Sequence, residues 1–131
     1  MNQEVRDSAN TILLIEDEPS VTAFVRAALE RRGYAVVPAA SGEEGLAWLE
    51  ETNFGGVISD IRMPGTVNGA EVREWIRTHR PELEQRMILI SGDTANSKTQ
   101  ALLASSGIPC IEKPFRVQQL ISVVETTFGK P

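Results

Sequence analysis

The chain has 131 residues and a formal net charge of −5, and 24% of its residues are charged. A chain of this length predicts one globular domain, and no apolar run approaches the roughly 20 residues that cross a bilayer. An acidic chain with scattered basic residues does not suit nucleic acid, because binding phosphates needs clustered cations.

Five apolar runs along the chain predict five β-strands. They begin at Ile12, Ala35, Val57, Met87 and Cys110. Residues 12–15 and 87–90 are apolar at every position, which is typical of strands buried on both faces of a sheet. The lone cysteine, in the fifth run, excludes an internal disulfide and fits a reducing cytoplasm.

Between the strands, apolar residues recur three and four positions apart, and this spacing predicts five amphipathic helices. The first helix is marked by Val21, Phe24, Val25, Ala28 and Leu29. Gly33 is expected to end it, and Ser41 with Glu44 predicts a capping box at the start of the second helix. The fourth helix, residues 94–106, has a thin apolar stripe and is expected to be among the least stable.

Strands that alternate with helices predict an α/β fold with a doubly wound parallel sheet. The flavodoxin-like strand order 2-1-3-4-5 is common at this size, and it places the switch point between strands 1 and 3. Ligands of such sheets bind there, beyond the carboxyl ends of the strands. Residues 11–128 are assigned to this domain, with a polar N-terminal tail at 1–10 and a C-terminal tail at 129–131.

Polar side chains stand where four of the predicted strands end. They are Glu16 and Asp17 after strand 1, Asp60 at the end of strand 3, Ser91 after strand 4 and Lys113 after strand 5. Crowded carboxylates without a nearby His or Cys favour a hard cation, and Mg²⁺ is the expected one. A lysine ammonium and a serine hydroxyl suit the oxygens of a phosphoryl group, and a carboxylate can accept such a group.

This arrangement resembles the receiver domain of two-component response regulators, from about residue 11 to residue 128. The resemblance rests on Glu16-Asp17, on Asp60 followed by Met63-Pro64-Gly65, on Ser91-Gly92 and on Lys113-Pro114-Phe115. Each motif is weak alone, but all four occur in order, each at the end of a strand. The long loop at 65–69 and the Ser-Gly after strand 4 look most like receivers of hybrid sensor histidine kinases; a single-domain response regulator also fits.

The resemblance implies that Asp60 is the phosphoacceptor and Asp17 a direct Mg²⁺ ligand. Glu16 would act on the metal mainly through water, and the backbone carbonyl of Arg62 would complete the protein ligands. Such a domain is not a conventional enzyme, since it only assists its own phosphoryl transfer and autodephosphorylation.

The resemblance also implies the partners. Ser91 and Lys113 would bind a phosphoryl group that arrives from a phosphohistidine on a sensor histidine kinase or a histidine phosphotransfer domain. The output would be a changed protein contact on the face of helix 4, strand 5 and helix 5, in a monomer or a phosphorylation-dependent dimer. No nucleic acid or membrane is expected as a partner, and the cytoplasm is the expected location.

One departure from the family pattern concerns switching, and two further positions concern the phosphoryl lifetime. Cys110 stands three residues before Lys113, where the family usually has a Tyr or Phe that swings inward on activation, and a cysteine has no ring to swing. Arg62 and Asp93 occupy positions that tune dephosphorylation in the family. Opposite charges there are expected to pair over the site and slow the attack of water.

Two other functions remain open at the level of the sequence. One is an interaction module that keeps the receiver fold without being phosphorylated, although such modules usually lose the acceptor, an acidic residue or the lysine. The other is an Mg²⁺-dependent phosphatase that forms an aspartyl-phosphate. The commonest phosphatase family of this kind uses Asp-x-Asp, and Arg62 occupies its second acidic position.

Overall fold

The computed structural model describes residues 9–63 and 65–131, in which five parallel strands alternate with five α-helices. The strands are β1 (Thr11–Ile15), β2 (Ala35–Ala39), β3 (Gly56–Asp60), β4 (Met87–Ser91) and β5 (Cys110–Glu112). The helices are α1 (Pro19–Glu30), α2 (Gly42–Glu51), α3 (Gly69–His79), α4 (Ser97–Ser106) and α5 (Val117–Phe128), and a 3₁₀ turn at Pro81–Leu83 follows α3. The predicted tail at residues 1–8 and the predicted loop residue Pro64 lie outside the described residues.

The strand order is β2-β1-β3-β4-β5, which confirms the predicted flavodoxin-like topology. β4 is buried at every residue and β1 from residue 12 to residue 15, as their apolar sequences predicted, and β3 is buried throughout as well. β2 lies at one edge of the sheet and carries Pro38, a residue that an edge strand tolerates because its outer side needs no ladder hydrogen bond. β1 and β3 are neighbours, so their carboxyl ends meet at the predicted switch point.

Two apolar layers sandwich the sheet, because successive residues of a strand point to opposite faces. On one face, Leu14 and Ile58 pack with residues of α1 and α5. On the other face, Leu13 and Val57 pack with residues of α2 and α3. α4 also lies on this second face, but its two leucines there are only partly buried.

Two predicted helix ends and one predicted capping box differ from those in the structure. α1 ends at Glu30, and Gly33, with φ +99°, follows three residues later in the turn to β2. Ser41 accepts the Glu44 N–H at 3.1 Å as predicted, but the Glu44 carboxylate accepts the N–H of Ala40, so the capping box is one-sided.

α4 begins at Ser97 rather than at residue 94. Asn96 Oδ1 accepts the N–H groups of Lys98 and Thr99 at 2.9 and 3.3 Å, so the helix starts at this cap. Thr99 is the one buried residue of α4, which agrees with its thin apolar stripe. None of the helices in the described residues has the length and apolar content that a membrane span requires.

Candidate functional site

Three carboxylates meet at the carboxyl ends of β1 and β3. One oxygen from each of Glu16, Asp17 and Asp60 lies within 4.8 Å of the other two. Glu16 and Asp60 are buried, and Asp17 is half-buried. Strand pairing brings them together, since the residues after β1 and the end of β3 lie side by side in a parallel register. We call these three residues the acidic cluster.

The environment of Glu16 disfavours its charge. Burial raises the pKa of Glu16 to about 7, although the Glu18 N–H and the Lys113 ammonium favour the charged form. Glu16 Oε2 accepts the Glu18 N–H at 3.0 Å. The buried Glu16 Oε1 lies 2.9 Å from Lys113 Nζ as an ion pair but accepts no well-directed hydrogen bond.

Lys113 reaches into the acidic cluster from the end of β5. Its Nζ lies 2.7 Å from Asp60 Oδ2, 2.9 Å from Glu16 Oε1 and 3.0 Å from Glu18 Oε1. Burial alone would lower the pKa of Lys113, but the close contacts with these three carboxylates outweigh burial and raise it. The Lys113–Pro114 peptide bond is cis, and the Lys113 N–H donates to Ser91 O at 2.8 Å.

Asp60 is held from two sides by backbone. Its Oδ1 accepts the Arg62 N–H at 3.1 Å. The start of α3 lies against its main chain, where a Cβ on Gly69 would stand 2.6 Å from Asp60 O and 2.8 Å from Ile61 Cα. Such distances are too short for a side chain, so only glycine lets α3 begin this close to the strand end. The Gly69 N–H donates to Ile61 O at 2.9 Å and fixes that approach.

The loop between β4 and α4, residues 92–96, forms the opposite wall of the site. The Asp93 N–H donates to the buried Ser91 Oγ at 3.0 Å. Asp93 Oδ2 lies 3.3 Å from Arg62 Nη1, so the predicted pairing of these opposite charges is present. Both side chains are exposed, which makes the pair sensitive to salt.

Cys110 begins β5, opposite Leu89 of β4. It is partly buried and packs against the apolar layer that α2 and α3 cover. Burial, aided by the negative charges of Glu112 and Asp60, raises the pKa of this thiol. The side chain is therefore a small packing residue held in its neutral form.

Two contacts near the site were not predicted. Glu18 contacts Lys113, and Thr94 Oγ1 donates to Glu112 Oε1 at 2.9 Å. Glu18 directly follows the acidic pair, and Glu112 directly precedes the lysine, so proximity in sequence was the available signal. The predicted roles of the Arg62 carbonyl as a metal ligand and of Ser91 as a phosphoryl ligand remain predictions.

The acidic cluster fits a hard divalent cation. Its ligand atoms would be carboxylate oxygens. The buried Glu16 Oε1 accepts no hydrogen bond, so a cation could bind it without displacing a donor. Solvent reaches the cluster at the end of the sheet, beside the half-buried Asp17. A cation bound there can therefore keep water ligands, as Mg²⁺ prefers.

The fold and the residues at the strand ends define a receiver domain. The chain belongs to the response regulator receiver domain family, which it matches over residues 12–125. This family serves two-component signalling systems and binds Mg²⁺, and its members partner with histidine kinases or phosphotransfer domains. The predicted family membership is therefore confirmed.

The chain is also similar to individual relatives and solved structures. The chain is 36% identical over 124 residues to the sensor kinase CckA of Brucella abortus, covering 92% of this chain but 13% of that protein. Among solved structures, a CheY-like receiver domain protein from Methanospirillum hungatei has a TM-score of 0.81 with 27% identity, covering 91% of this chain and 93% of that one. The response regulator TrrA from Thermotoga maritima, solved in complex with Mg²⁺-BeF, has a TM-score of 0.77 with 30% identity, covering 90% of this chain and 98% of that one.

Proposed function

We propose that this domain accepts a phosphoryl group from a phosphohistidine onto Asp60, in the presence of Mg²⁺, and answers by changing a protein-protein contact. The observation that carries the proposal is the position of Lys113 Nζ, 2.7 Å from Asp60 Oδ2 inside a buried acidic cluster. The Lys113 ammonium beside this buried carboxylate suits a reaction that builds negative charge on the carboxylate.

The transfer exchanges one bond to phosphorus for another. An oxygen of the Asp60 carboxylate bonds to phosphorus while the phosphorus–nitrogen bond of the donor breaks. The electron pair of that bond leaves with the histidine ring, which takes up a proton. In autodephosphorylation, water attacks phosphorus instead, and phosphate leaves while the Asp60 carboxylate is restored.

Glu16, Asp17 and Asp60 would hold the Mg²⁺ together with the Arg62 carbonyl. Bound there, Mg²⁺ would neutralise charge that develops on the phosphoryl oxygens and relieve the repulsion among the three carboxylates. The complex of TrrA with Mg²⁺-BeF supports this assignment for a relative that is 30% identical.

Ser91 and Lys113 would orient the phosphoryl group. Lys113 supplies a compact positive charge, and the Ser91 hydroxyl is free to donate because its oxygen already accepts the Asp93 N–H. A new charge of about −1.5 to −2 on Asp60 would draw both groups toward it. Since the Asp93 N–H is hydrogen-bonded to Ser91 Oγ, a shift of Ser91 would also move the loop at 92–96 and change the position of α4.

The signal would leave through the face formed by α4, β5 and α5. α4 is the natural moving part, because Thr99 is its one buried residue. A sensor histidine kinase or a phosphotransfer domain would deliver the phosphoryl group in the cytoplasm, to a monomer or a phosphorylation-dependent dimer. Residues 11–128 would suffice for these steps.

The test is intact mass after incubation with acetyl phosphate. We expect a gain of about 80 Da, one phosphoryl group, that requires Mg²⁺ and disappears in Asp60→Asn. The matched control Glu74→Gln, which removes an exposed carboxylate of α3 paired with Arg77, should keep the gain. A labelled Asp60→Asn protein would refute the assignment, and a protein that gains mass neither from acetyl phosphate nor from a phosphorylated kinase would be a silent binding module.

A further inference from the structure

Lys113 has a third carboxylate partner that the acidic cluster does not include. We propose that Glu18 is a positioning residue whose carboxylate binds the Lys113 ammonium and competes with the phosphoryl group for it. The inference rests on the proposed function, since it concerns the lysine that would bind the phosphoryl oxygens. It assigns a role to a residue that follows the acidic pair and is not one of the proposed metal ligands.

The contacts of Lys113 divide into two kinds. Two of its partners, Glu16 and Asp60, are buried members of the acidic cluster, where their oxygens would also serve a cation. The third partner, Glu18, lies outside the cluster, and its side chain is 57% exposed. A divalent cation in the cluster would repel the ammonium and occupy the oxygens of the first two, so Glu18 is the partner that can keep Lys113.

The Glu18 side chain has no structural duty that would explain its contact. Glu18 is the N-cap residue of α1, yet its side chain makes no capping hydrogen bond. Its structural contacts are made by the main chain, whose N–H donates to Glu16 Oε2 and whose carbonyl accepts the Thr22 N–H. Within residues 9–63 and 65–131, the polar contact of the side chain is the one with Lys113, so a change of the side chain should leave the local fold intact and remove that contact.

Competition follows from the limited reach of one ammonium. When a phosphoryl group occupies Asp60, Lys113 must turn toward its oxygens and give up Glu18. The free energy of the Glu18 contact is thus subtracted from phosphoryl binding. Because Glu18 is exposed and an exposed ion pair is weak, its removal should tighten binding of a phosphoryl mimic by about two- to five-fold.

The test measures binding of beryllofluoride at saturating Mg²⁺ by NMR titration. Glu18→Gln removes the charge, and Glu18→Asp keeps the charge but withdraws it by one methylene from the 3.0 Å contact. We expect both variants to bind beryllofluoride about two- to five-fold more tightly than the unmodified protein. Glu30→Gln, which removes an exposed carboxylate of α1 paired with Arg26 rather than with Lys113, should bind like the unmodified protein.

A general effect of rim charge predicts a different pattern. In that case Glu18→Asp would bind like the unmodified protein and only Glu18→Gln would bind more tightly, and this result would overturn the inference. The coupling to Lys113 is tested in a Lys113→Ala background, where Glu18→Gln should change the affinity by nothing measurable. An unchanged effect of Glu18→Gln in that background would also overturn the inference.

The same titration separates the two proposals. If the unmodified protein binds beryllofluoride and the Glu18 variants match it, the role of Glu18 is refuted while the proposed function stands. If the unmodified protein does not bind beryllofluoride with Mg²⁺, the proposed function fails and takes the role of Glu18 with it. A tighter affinity confined to the two Glu18 variants supports both.

Discussion

The two sides of the site are built in opposite ways. The acidic cluster stands on β1 and β3, strands that are buried almost throughout and paired in a continuous register. The facing side, the loop at 92–96 with α4, is held mainly by exposed polar contacts, and Thr99 is the one buried residue of its helix. Groups that must be placed accurately thus lie at the ends of buried strands, while the part that would respond to them is loosely packed.

The difference predicts unequal costs for removing apolar side chains. Ile58 in β3 is fully buried, so Ile58→Ala should cost about 2–5 kcal/mol of unfolding free energy. Leu102 in α4 is only partly buried, and Leu102→Ala should cost about 1 kcal/mol. Urea unfolding measures both, and equal losses would show that α4 is packed as firmly as the sheet.

A second test acts at the place where α3 approaches the acidic cluster. Gly69→Ala places a methyl group 2.6 Å from Asp60 O, so it should cost about 1–3 kcal/mol and slow the labelling of Asp60. Gly107→Ala is the control. Gly107 has φ +68° with open space around it, so its substitution should cost about 1 kcal/mol through backbone strain and leave labelling unchanged. Equal labelling rates in the two variants would mean that the fit of α3 against Asp60 has no effect on the site.

A third test concerns the link between the loop and β5. Thr94→Val removes the hydrogen bond to Glu112, which spans from the loop to the residue before Lys113. Since the bond is exposed, we expect a loss of at most about 0.5 kcal/mol, and faster amide hydrogen exchange confined to the loop and α4. Thr78→Val, which removes a hydroxyl contact within α3, should leave exchange in α4 unchanged. Faster exchange in α4 from the Thr78 variant would show that the effect is not local to the link.

That link bears on a question raised by Cys110. A cysteine has no aromatic ring that could move between the Ser91 side of the site and the surface beside α4, and Cys110 packs against the apolar layer that α2 and α3 cover. The Thr94–Glu112 bond instead joins the loop that follows Ser91 to the last residue of β5, directly before Lys113. If it transmits the signal, Thr94→Val should weaken the change in α4 exchange that beryllofluoride causes, without weakening beryllofluoride binding.

Physical causes explain which features the sequence predicted and which it did not. Apolar runs predicted the strands, because a buried strand shows itself in its own local sequence pattern. The parallel strand order then brought Asp17 and Asp60 together. The contacts of Glu18 and Thr94 were not predicted, because they depend on how far a side chain reaches across a gap between two elements. α4 begins at Ser97 rather than at the predicted residue 94, because the side chain of Asn96 caps the helix.

The exposed ion pair over the site provides the smallest expected effect. Arg62 and Asp93 lie 3.3 Å apart with both side chains exposed, so the pair is weak and screened by salt. If it hinders attacking water, Arg62→Ala and Asp93→Ala should each shorten the phosphoryl half-life, by about two-fold at low salt and less at high salt. The measurement is the decay of the mass-labelled protein at two ionic strengths.

Arg77→Ala, which removes an exposed arginine paired with Glu74 on α3, should leave the half-life unchanged. Unchanged half-lives in both site variants would show that the charges pair without slowing the attack of water, and that the loop contributes to the site only through the Asp93 N–H that binds Ser91 Oγ.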